Sequence, residues 1–331
     1  MKNVLVTGAS GFVGSNLCAE LYSHGYNVRA LHRATSNLSS LNGIKIDLHK
    51  GDVTDKESIR KAAQGIDTIY HIAAVFREAK HPDSYYFDVN TKGTQNIIEI
   101  AEELGIEKVI HCSTTGVHGH VKNPPANEET AFAPRDVYQI SKCQAEDLIN
   151  KAIERGKIKA AIVRPAMIWG PGDKRIFKLF KGIGLGILPI IGNGKTWTHW
   201  IMIDDLVRAF RLVGEKNEAM GNTFIIAGDR PVTMSYVYER ICKFFGKKPP
   251  FLKVPVLPIW IAGAICELIC LPLGMEPPLH RRRVDFYTKN RIFDVRKSNL
   301  ILDFKPSRTF EEEVEYLASW YVQNNWIEVT A

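Results

Sequence analysis

The 331-residue chain has no C-x-x-C pair, and no group of His, Cys, Asp or Glu falls at metal-ligand spacing. A structural zinc site and a dithiol redox centre are thereby excluded. Its six cysteines (Cys18, Cys112, Cys143, Cys242, Cys266 and Cys270) are scattered, which suits reduced core thiols of a cytoplasmic protein better than a disulfide framework. Cys266 and Cys270, four apart, are expected on one helix face. No apolar run reaches the ~20 residues that a membrane helix needs. The N-terminal run Val4-Leu5-Val6 is too short for a secretory signal, because a glycine-rich turn follows it at once. Internal repeats and low-complexity tracts are absent. No nucleic-acid motif accompanies the net charge of +7, so the excess of Lys and Arg reads as solvated charge.

What is present is a chain with 45% hydrophobic and 24% charged residues, ordinary for a folded globular protein. Short β-branched runs at 3–7, 27–31, 45–48, 68–72, 108–112 and 160–164 alternate with helical periods at 14–24, 56–64, 90–104 and 138–155. That alternation predicts an α/β fold of the Rossmann type, a doubly wound parallel sheet. A further strand is expected at 223–227, after an insertion, and a helix at 204–213 whose two opening carboxylates favour its positive N-terminus. Gly and Pro punctuate 181–194, and four prolines fall in 249–258, so these stretches read as loops of a smaller, irregular unit. The expected organisation is a dinucleotide-binding domain from 1–172 and 204–229, with a smaller, discontinuous C-terminal substrate lobe from 173–203 and 230–331.

The almost wholly apolar stretch 259–273 is interrupted by Glu267 and bracketed by Pro258 and Pro272. It reads as a buried lobe helix or pocket wall. The competing reading is an interfacial helix, with Trp260 at one end and Arg281-Arg282-Arg283 just beyond.

The first strand runs into Thr7-Gly8-Ala9-Ser10-Gly11-Phe12-Val13-Gly14. Its glycines at G-x-x-G-x-x-G spacing let the chain turn sharply and let a pyrophosphate approach the backbone, at a helix N-terminus that offers free N–H groups. Gly8, Ser10, Gly11, Phe12, Val13 and Gly14 are the candidate cofactor loop. About twenty residues on, the second strand ends in Leu31-His32-Arg33, without the acidic residue that would hold the ribose hydroxyls of NAD. Arg33 suits a 2′-phosphate, so NADP is expected, with NAD the alternative.

Downstream lies Tyr138-Gln139-Ile140-Ser141-Lys142. Tyr138 and Lys142 are four apart on an expected helix and share a face. A lysine ammonium near a phenol favours the phenolate, which moves Tyr138 towards general acid/base work at neutral pH. A hydroxyl at the end of the fifth strand, Thr114 or Ser113, would orient a substrate oxygen. His71 and His111 sit in expected strands and read as satisfied core histidines.

With these residues in hand the chain resembles the extended short-chain dehydrogenase/reductases, the NAD-dependent epimerase/dehydratase group, over nearly its whole length. Further matches are Gly51-Asp52-Val53, His71-Ile72-Ala73-Ala74, Asn90-Thr91-Lys92-Gly93-Thr94, Arg164-Pro165 and Gly170-Pro171-Gly172-Asp173. The resemblance implies that Asp52, with Val53, meets the adenine amino group. It implies that Ala73 and Ala74 pass near the ribose and pyrophosphate, with Asn90 also at the cofactor. The Pro165 loop, through Ile168, would pack near the nicotinamide, and Lys142 would hold its ribose. It favours Thr114 over Ser113, places His118 where the family often has a substrate-facing tyrosine, and makes a homodimer through 90–104 and 138–155 the usual assembly.

Within that family, sugar-nucleotide enzymes commonly carry an asparagine where this chain has Ala166, an arginine near Trp200, and an Asp-Glu pair where it has Thr115-Gly116. Those departures favour the 3β-hydroxysteroid dehydrogenase and dihydroflavonol reductase branch, supported by Glu276-Pro277-Pro278-Leu279 and Phe293-Asp294-Val295. Leu31-His32-Arg33-Ala34-Thr35-Ser36-Asn37 also resembles the hopanoid-associated epimerases. The expected reaction is hydride exchange between a nicotinamide and an apolar alcohol or ketone; the alternative is a nucleotide-sugar epimerase or dehydratase.

Overall fold

The β-branched runs pair into one seven-stranded parallel sheet. Its strands are β1 (Asn3–Thr7), β2 (Asn27–His32), β3 (Asp47–Lys50), β4 (Thr68–His71), β5 (Lys108–Cys112), β6 (Ala160–Pro165) and β7 (Thr223–Ile226). Their order is β7-β6-β5-β4-β1-β2-β3, so the winding reverses between β1 and β4. A ligand crevice belongs at that switch point, outside the carboxyl ends of the strands. The computed structural model describes residues 2–76, 81–273, 275, 277, 279, 281 and 287–327. Of the sequence features singled out above, Glu276, Pro278, Arg282 and Arg283 lie outside the described residues.

β4, β5 and β6 are almost wholly buried because helices cover both sheet faces. One face packs α1 (Phe12–Ser23) and α6 (Ile203–Glu215) through Leu17, Leu21 and Phe210. The other packs α2 (Lys56–Ala63), α3 (Gly93–Leu104) and α4 (Val137–Glu154) through Ile59, Ile97 and Ile149. A third, aromatic-rich core joins α5 (Lys174–Gly184), α7 (Met234–Phe244) and α9 (Phe310–Gln323). In it Trp169 stacks on Trp200 with centroids 4.4 Å apart. Side-chain caps start five of these eight helices: Asp55, Asp136, Asp173, Thr233 and Thr309 each accept a backbone N–H of the first turn.

The structure departs from the sequence expectation in four places. The third strand is Asp47–Lys50 rather than 45–48, an exposed edge strand with little alternation to fix its start. The helix expected from residue 90 begins as a π-helical turn, Phe87–Lys92, and becomes α-helical at Gly93. The stretch 181–194, expected as loop, opens inside α5, which runs to Gly184 because Leu179, Phe180 and Ile183 bury together. Finally, the apolar stretch 259–273 is not a buried wall. It lies in α8 (Val256–Cys270), and among the side chains of that helix only Gly263 and Cys270 are buried. An all-apolar helix carries no periodicity to say which side is covered, and here most of it faces solvent.

Candidate active site

The glycine loop is built by close approach. Gly8 turns with φ +68°, and a Cβ there would meet Ala73 Cα at 2.7 Å. A Cβ on Gly14 would stand 2.1 Å from the carbonyl oxygen of Gly8. Gly11 donates its N–H to that same oxygen at 3.0 Å and opens α1 without a side-chain cap. The first N–H groups of α1 are therefore left for an anion, at the positive end of the helix. A cradle that tolerates no side chain and ends in uncapped donors fits a dinucleotide pyrophosphate. Ser10, Phe12 and Val13 sit around it. The Phe12 ring reaches the Gly170 turn, where a Cβ would lie 3.3 Å from its Cζ.

The side of the crevice expected to take adenine follows the ends of β2 and β3. Arg33 is exposed and its Nη1 donates to the Tyr85 hydroxyl at 3.0 Å. Asp52 is held by its own turn: its backbone N–H donates to Ser58 Oγ at 3.0 Å, and its Oδ1 accepts from Thr54 N at 2.9 Å. Val53 is buried, and its carbonyl accepts from Asn96 Nδ2. Ala73 is half-buried and Ala74 exposed, beside Gly8. Asn90, in contrast, is fully buried. Its amide exchanges hydrogen bonds with Val75 N and O and donates to Ser141 Oγ at 2.9 Å. It ties the loop after β4 to α4, and the π turn is what aims it there.

On α4, Tyr138, Lys142 and Glu146 recur every four residues and face the sheet; all three are buried. The Tyr138 ring meets Phe76 edge-on at 4.9 Å. Lys142 Nζ lies 3.2 Å from His111 Nε2. Burial pushes the Lys142 ammonium below its usual range, partly offset by Cys112 and Glu146. His111 is held neutral by burial and by the Lys142 charge. His71, next to it with ring centroids 5.3 Å apart, is pushed down to about 3 by burial and the same charge. Its two ring nitrogens meet Thr7 Oγ1 and Thr94 Oγ1 at 2.9 and 3.0 Å. His71 is thus the satisfied core histidine expected; His111 is not, since its Nδ1 has no partner among the described residues.

The end of β5 separates the two candidate hydroxyls. Ser113 is buried and donates to Glu146 Oε1. Glu146 also holds Arg164 in an ion pair, Nη2 to Oε2 at 2.6 Å, with both side chains buried. Arg164 in turn reaches the Glu128 carbonyl at 2.8 Å and His118 Nε2 at 3.3 Å. Thr114 is half-buried, and its Oγ1 accepts from Gly116 N at 3.0 Å, which leaves its proton to donate elsewhere. His118 is buried against Arg164 and Phe132, and burial followed by the Arg164 charge pushes it down to about 4. The carbonyl of Pro165 accepts from Thr115 Oγ1 at 3.0 Å, and Ile168 lies in a short parallel ladder with Ile201. Glu146 and His111 are the residues that reading the sequence missed. The i, i+4, i+8 spacing of Tyr138, Lys142 and Glu146 on an otherwise apolar face was the signal for the first.

Among the described residues no group of three or more His, Cys, Asp or Glu could hold a metal ion. The model of the family described as "NAD dependent epimerase/dehydratase family" matches residues 4–227. A 3-beta-hydroxysteroid dehydrogenase of Mycolicibacterium neoaurum is 28% identical over 338 residues, covering 97% of this chain and 92% of that protein. The N-acetyl-alpha-D-glucosaminyl-diphospho-ditrans,octacis-undecaprenol 4-epimerase of Escherichia coli is 27% identical over 323 residues, 95% of each. The solved dTDP-glucose 4,6-dehydratase of Bacillus anthracis, in complex with NAD, superposes with a TM-score of 0.79 at 22% identity over 98% of both chains. That last likeness is one of fold. The chain belongs to the NAD-dependent epimerase/dehydratase family of extended short-chain dehydrogenases/reductases and is an enzyme.

Proposed function

We propose that this enzyme interconverts a secondary alcohol and a ketone of an apolar, steroid-, isoprenoid- or flavonoid-like substrate, with Tyr138 as general acid/base. The reading is carried by α4, which sets Tyr138, Lys142 and Glu146 on one buried face against the sheet. The bound nicotinamide supplies or accepts the hydride. Tyr138 takes the hydroxyl proton as the alcohol is oxidised and returns it on reduction. The Thr114 hydroxyl orients the substrate oxygen, while Ser113 anchors the β5 end to Glu146. Lys142 stabilises the phenolate form of Tyr138 by its charge. Gly8, Ser10, Gly11, Phe12, Val13 and Gly14 would hold the pyrophosphate, and Asp52, Val53, Ala73 and Ala74 would line its adenosine. Asn90 positions the Val75 loop, and Pro165 and Ile168 wall the nicotinamide end. NADP is the cofactor we favour over NAD, since Arg33 follows β2 directly and the Leu31-His32-Arg33 run carries no carboxylate to repel a 2′-phosphate.

An apolar substrate is supported by Arg164-Pro165-Ala166, which lacks the asparagine common in sugar-nucleotide enzymes, by the run from Lys195 to Trp200, which lacks their arginine, and by the steroid dehydrogenase relative. Tyr138→Phe should lower turnover by about 10²–10⁴-fold while cofactor affinity stays within a few-fold. Unchanged turnover would overturn the assignment. A thermal-shift titration with UDP and dTDP on NADP-saturated enzyme tests the substrate class, because a ligand of the native state raises its stability by mass action. No shift is expected.

The second reading is an epimerase acting on a sugar carried by a polyprenyl diphosphate, the activity named for the undecaprenol-linked epimerase to which this chain is 27% identical. Such an enzyme keeps its cofactor through purification and shows no net absorbance change at the nicotinamide band.

A further inference from the structure

The strongest unexplained surface is α8 with the strand that leads into it. Leu257 and Leu268 are 64% and 76% exposed, with Trp260, Ile261 and Ile265 exposed between them and Ile269 just after. Just before the helix, Phe251 is 96% exposed. The surface continues onto a second segment. Ile190 N donates to the Leu252 carbonyl at 3.2 Å and Gly192 N to the Val254 carbonyl at 2.8 Å, so the tip bearing exposed Ile187 is tied to the chain that enters α8. Soluble monomers rarely leave so much contiguous apolar surface uncovered without a partner for it.

Charge says what that partner is. From Arg240 to Cys266 the chain holds Arg240, Lys243, Lys247, Lys248 and Lys253 and no Asp or Glu. Residues 174–203, which supply the adjoining segment, hold Lys174, Arg175, Lys178, Lys181 and Lys195 and again no Asp or Glu. These ten account for more than the whole net charge of +7: the remaining 33 of the 43 Lys and Arg face 36 Asp and Glu. The only acidic side chain on α8, Glu267, is neutralised by Arg281, with Nε to Oε2 at 2.7 Å. Two of the ten are already paired, Arg240 with Glu315 at 3.3 Å and Arg175 with Asp173 at 2.9 Å; with the other eight, an apolar ridge flanked by segments in basic excess complements a negatively charged lipid surface. It does not complement a second copy of itself, since two such margins would repel.

We infer that this enzyme docks on anionic phospholipid membranes through α8 and the Phe251-Leu252 tip, lying in the interface rather than crossing it. The length of α8 supports that geometry. Its 15 residues rise about 22 Å, short of the ~30 Å of a hydrocarbon core. Among the described residues no helix is long and apolar enough to span. Gly263 and Cys270 are buried against the protein and Ile259, Ala264 and Cys266 are half-buried beside them, so the protein body takes the place of a polar helix face. The inference stands on this surface alone and is independent of the reaction proposed above.

The test uses the full-length protein and vesicles of phosphatidylcholine, alone or mixed with phosphatidylglycerol. Wild type should co-sediment with the mixed vesicles, weakly with the neutral ones, and less as salt is raised. Leu257→Glu with Leu268→Glu, and separately Lys247→Glu with Lys248→Glu, should each weaken uptake by at least about tenfold. All four positions are exposed, so melting temperatures should match wild type. Absence of uptake by anionic vesicles would overturn the inference. So would uptake that neither variant changes. A dimer that Leu257→Glu with Leu268→Glu converts to monomer, without vesicle binding, would assign the surface to a second copy instead.

Discussion

Lys142 Nζ donates to Nε2 of the neutral His111 across 3.2 Å, one helical turn along from the proposed proton-transfer tyrosine. Burial already lowers the Lys142 pKa, against Cys112 and Glu146, which raise it; a ring nitrogen that accepts from the ammonium also favours its charged form. The charge is lost as pH rises through that lowered value. His111→Phe lowers it further and should move the alkaline limb of the kcat/KM profile down by about one pH unit, the worth of one hydrogen bond to a charged group. His111→Gln, which keeps an acceptor, should restore it. A limb that stays in place in His111→Phe would remove His111 from the mechanism.

Gly14→Ala should cost far more than a glycine replacement in an ordinary helix. The new methyl would meet a backbone oxygen 2.1 Å away, so relief requires the loop to move. We expect a loss of about 1–3 kcal/mol in urea denaturation and at least about tenfold weaker cofactor binding by fluorescence titration. Gly105→Ala, where nothing lies within 4 Å but φ is +64°, is the control for strain without crowding.

Glu146→Gln leaves the Arg164 guanidinium charged and buried without its counter-ion. A loss of about 3–5 kcal/mol is expected by chemical denaturation. The double variant Glu146→Gln with Arg164→Met should recover part of it, which a mere packing role for Glu146 would not produce.

Arg33→Ser should weaken NADP binding by about tenfold or more, the scale of a charged hydrogen bond, and leave NAD nearly unchanged. Equal loss for both would show that Arg33 holds the loop through Tyr85 rather than reading a phosphate.

Glu313 gives a pH dependence of stability with a definite sign. Burial, followed by the Asp205, Asp229 and Asp204 charges, raises its carboxyl to about 8, against the hydrogen bond from Trp169 Nε1 at 3.0 Å. Its unfolded value is about 4.3. Between the two the folded state holds the extra proton, so this group's contribution falls as pH rises from about 4.3 to about 8. Glu313→Gln should match wild type near the lower limit and exceed it on the order of 2 kcal/mol near the upper one. Thermal melts across that range check it; parallel curves would refute it.

Much of this was legible in the sequence. β1 and β5 fall where their β-branched runs begin and end, because buried parallel strands are near-continuous apolar segments. The glycine loop, Tyr138 and Lys142 were readable because each needs a residue type that spacing alone reveals. The partner of the Ser113 hydroxyl was not. It is Glu146, thirty-three residues on, which draws that hydroxyl inward. Nor was the role of Asn90 readable, since its partners Val75 and Ser141 meet it only through a π turn that no local propensity announces. The exposure of α8 was hidden for a different reason: composition reports how apolar a helix is, and not what stands beside it.

The last strand of the sheet has a consequence for synthesis. β7 pairs with β6, Thr223 opposite Ile162 and Phe224 opposite Val163, yet it follows only after the chain from Ala166 to Asn222. At roughly 5–20 residues per second that interval lasts on the order of several seconds. Throughout it, the nascent sheet presents β6, apolar from Ala160 to Val163, as a bare edge ready to pair with a neighbouring chain. Slowing translation between those two strands should therefore raise aggregation during expression without altering the finished enzyme.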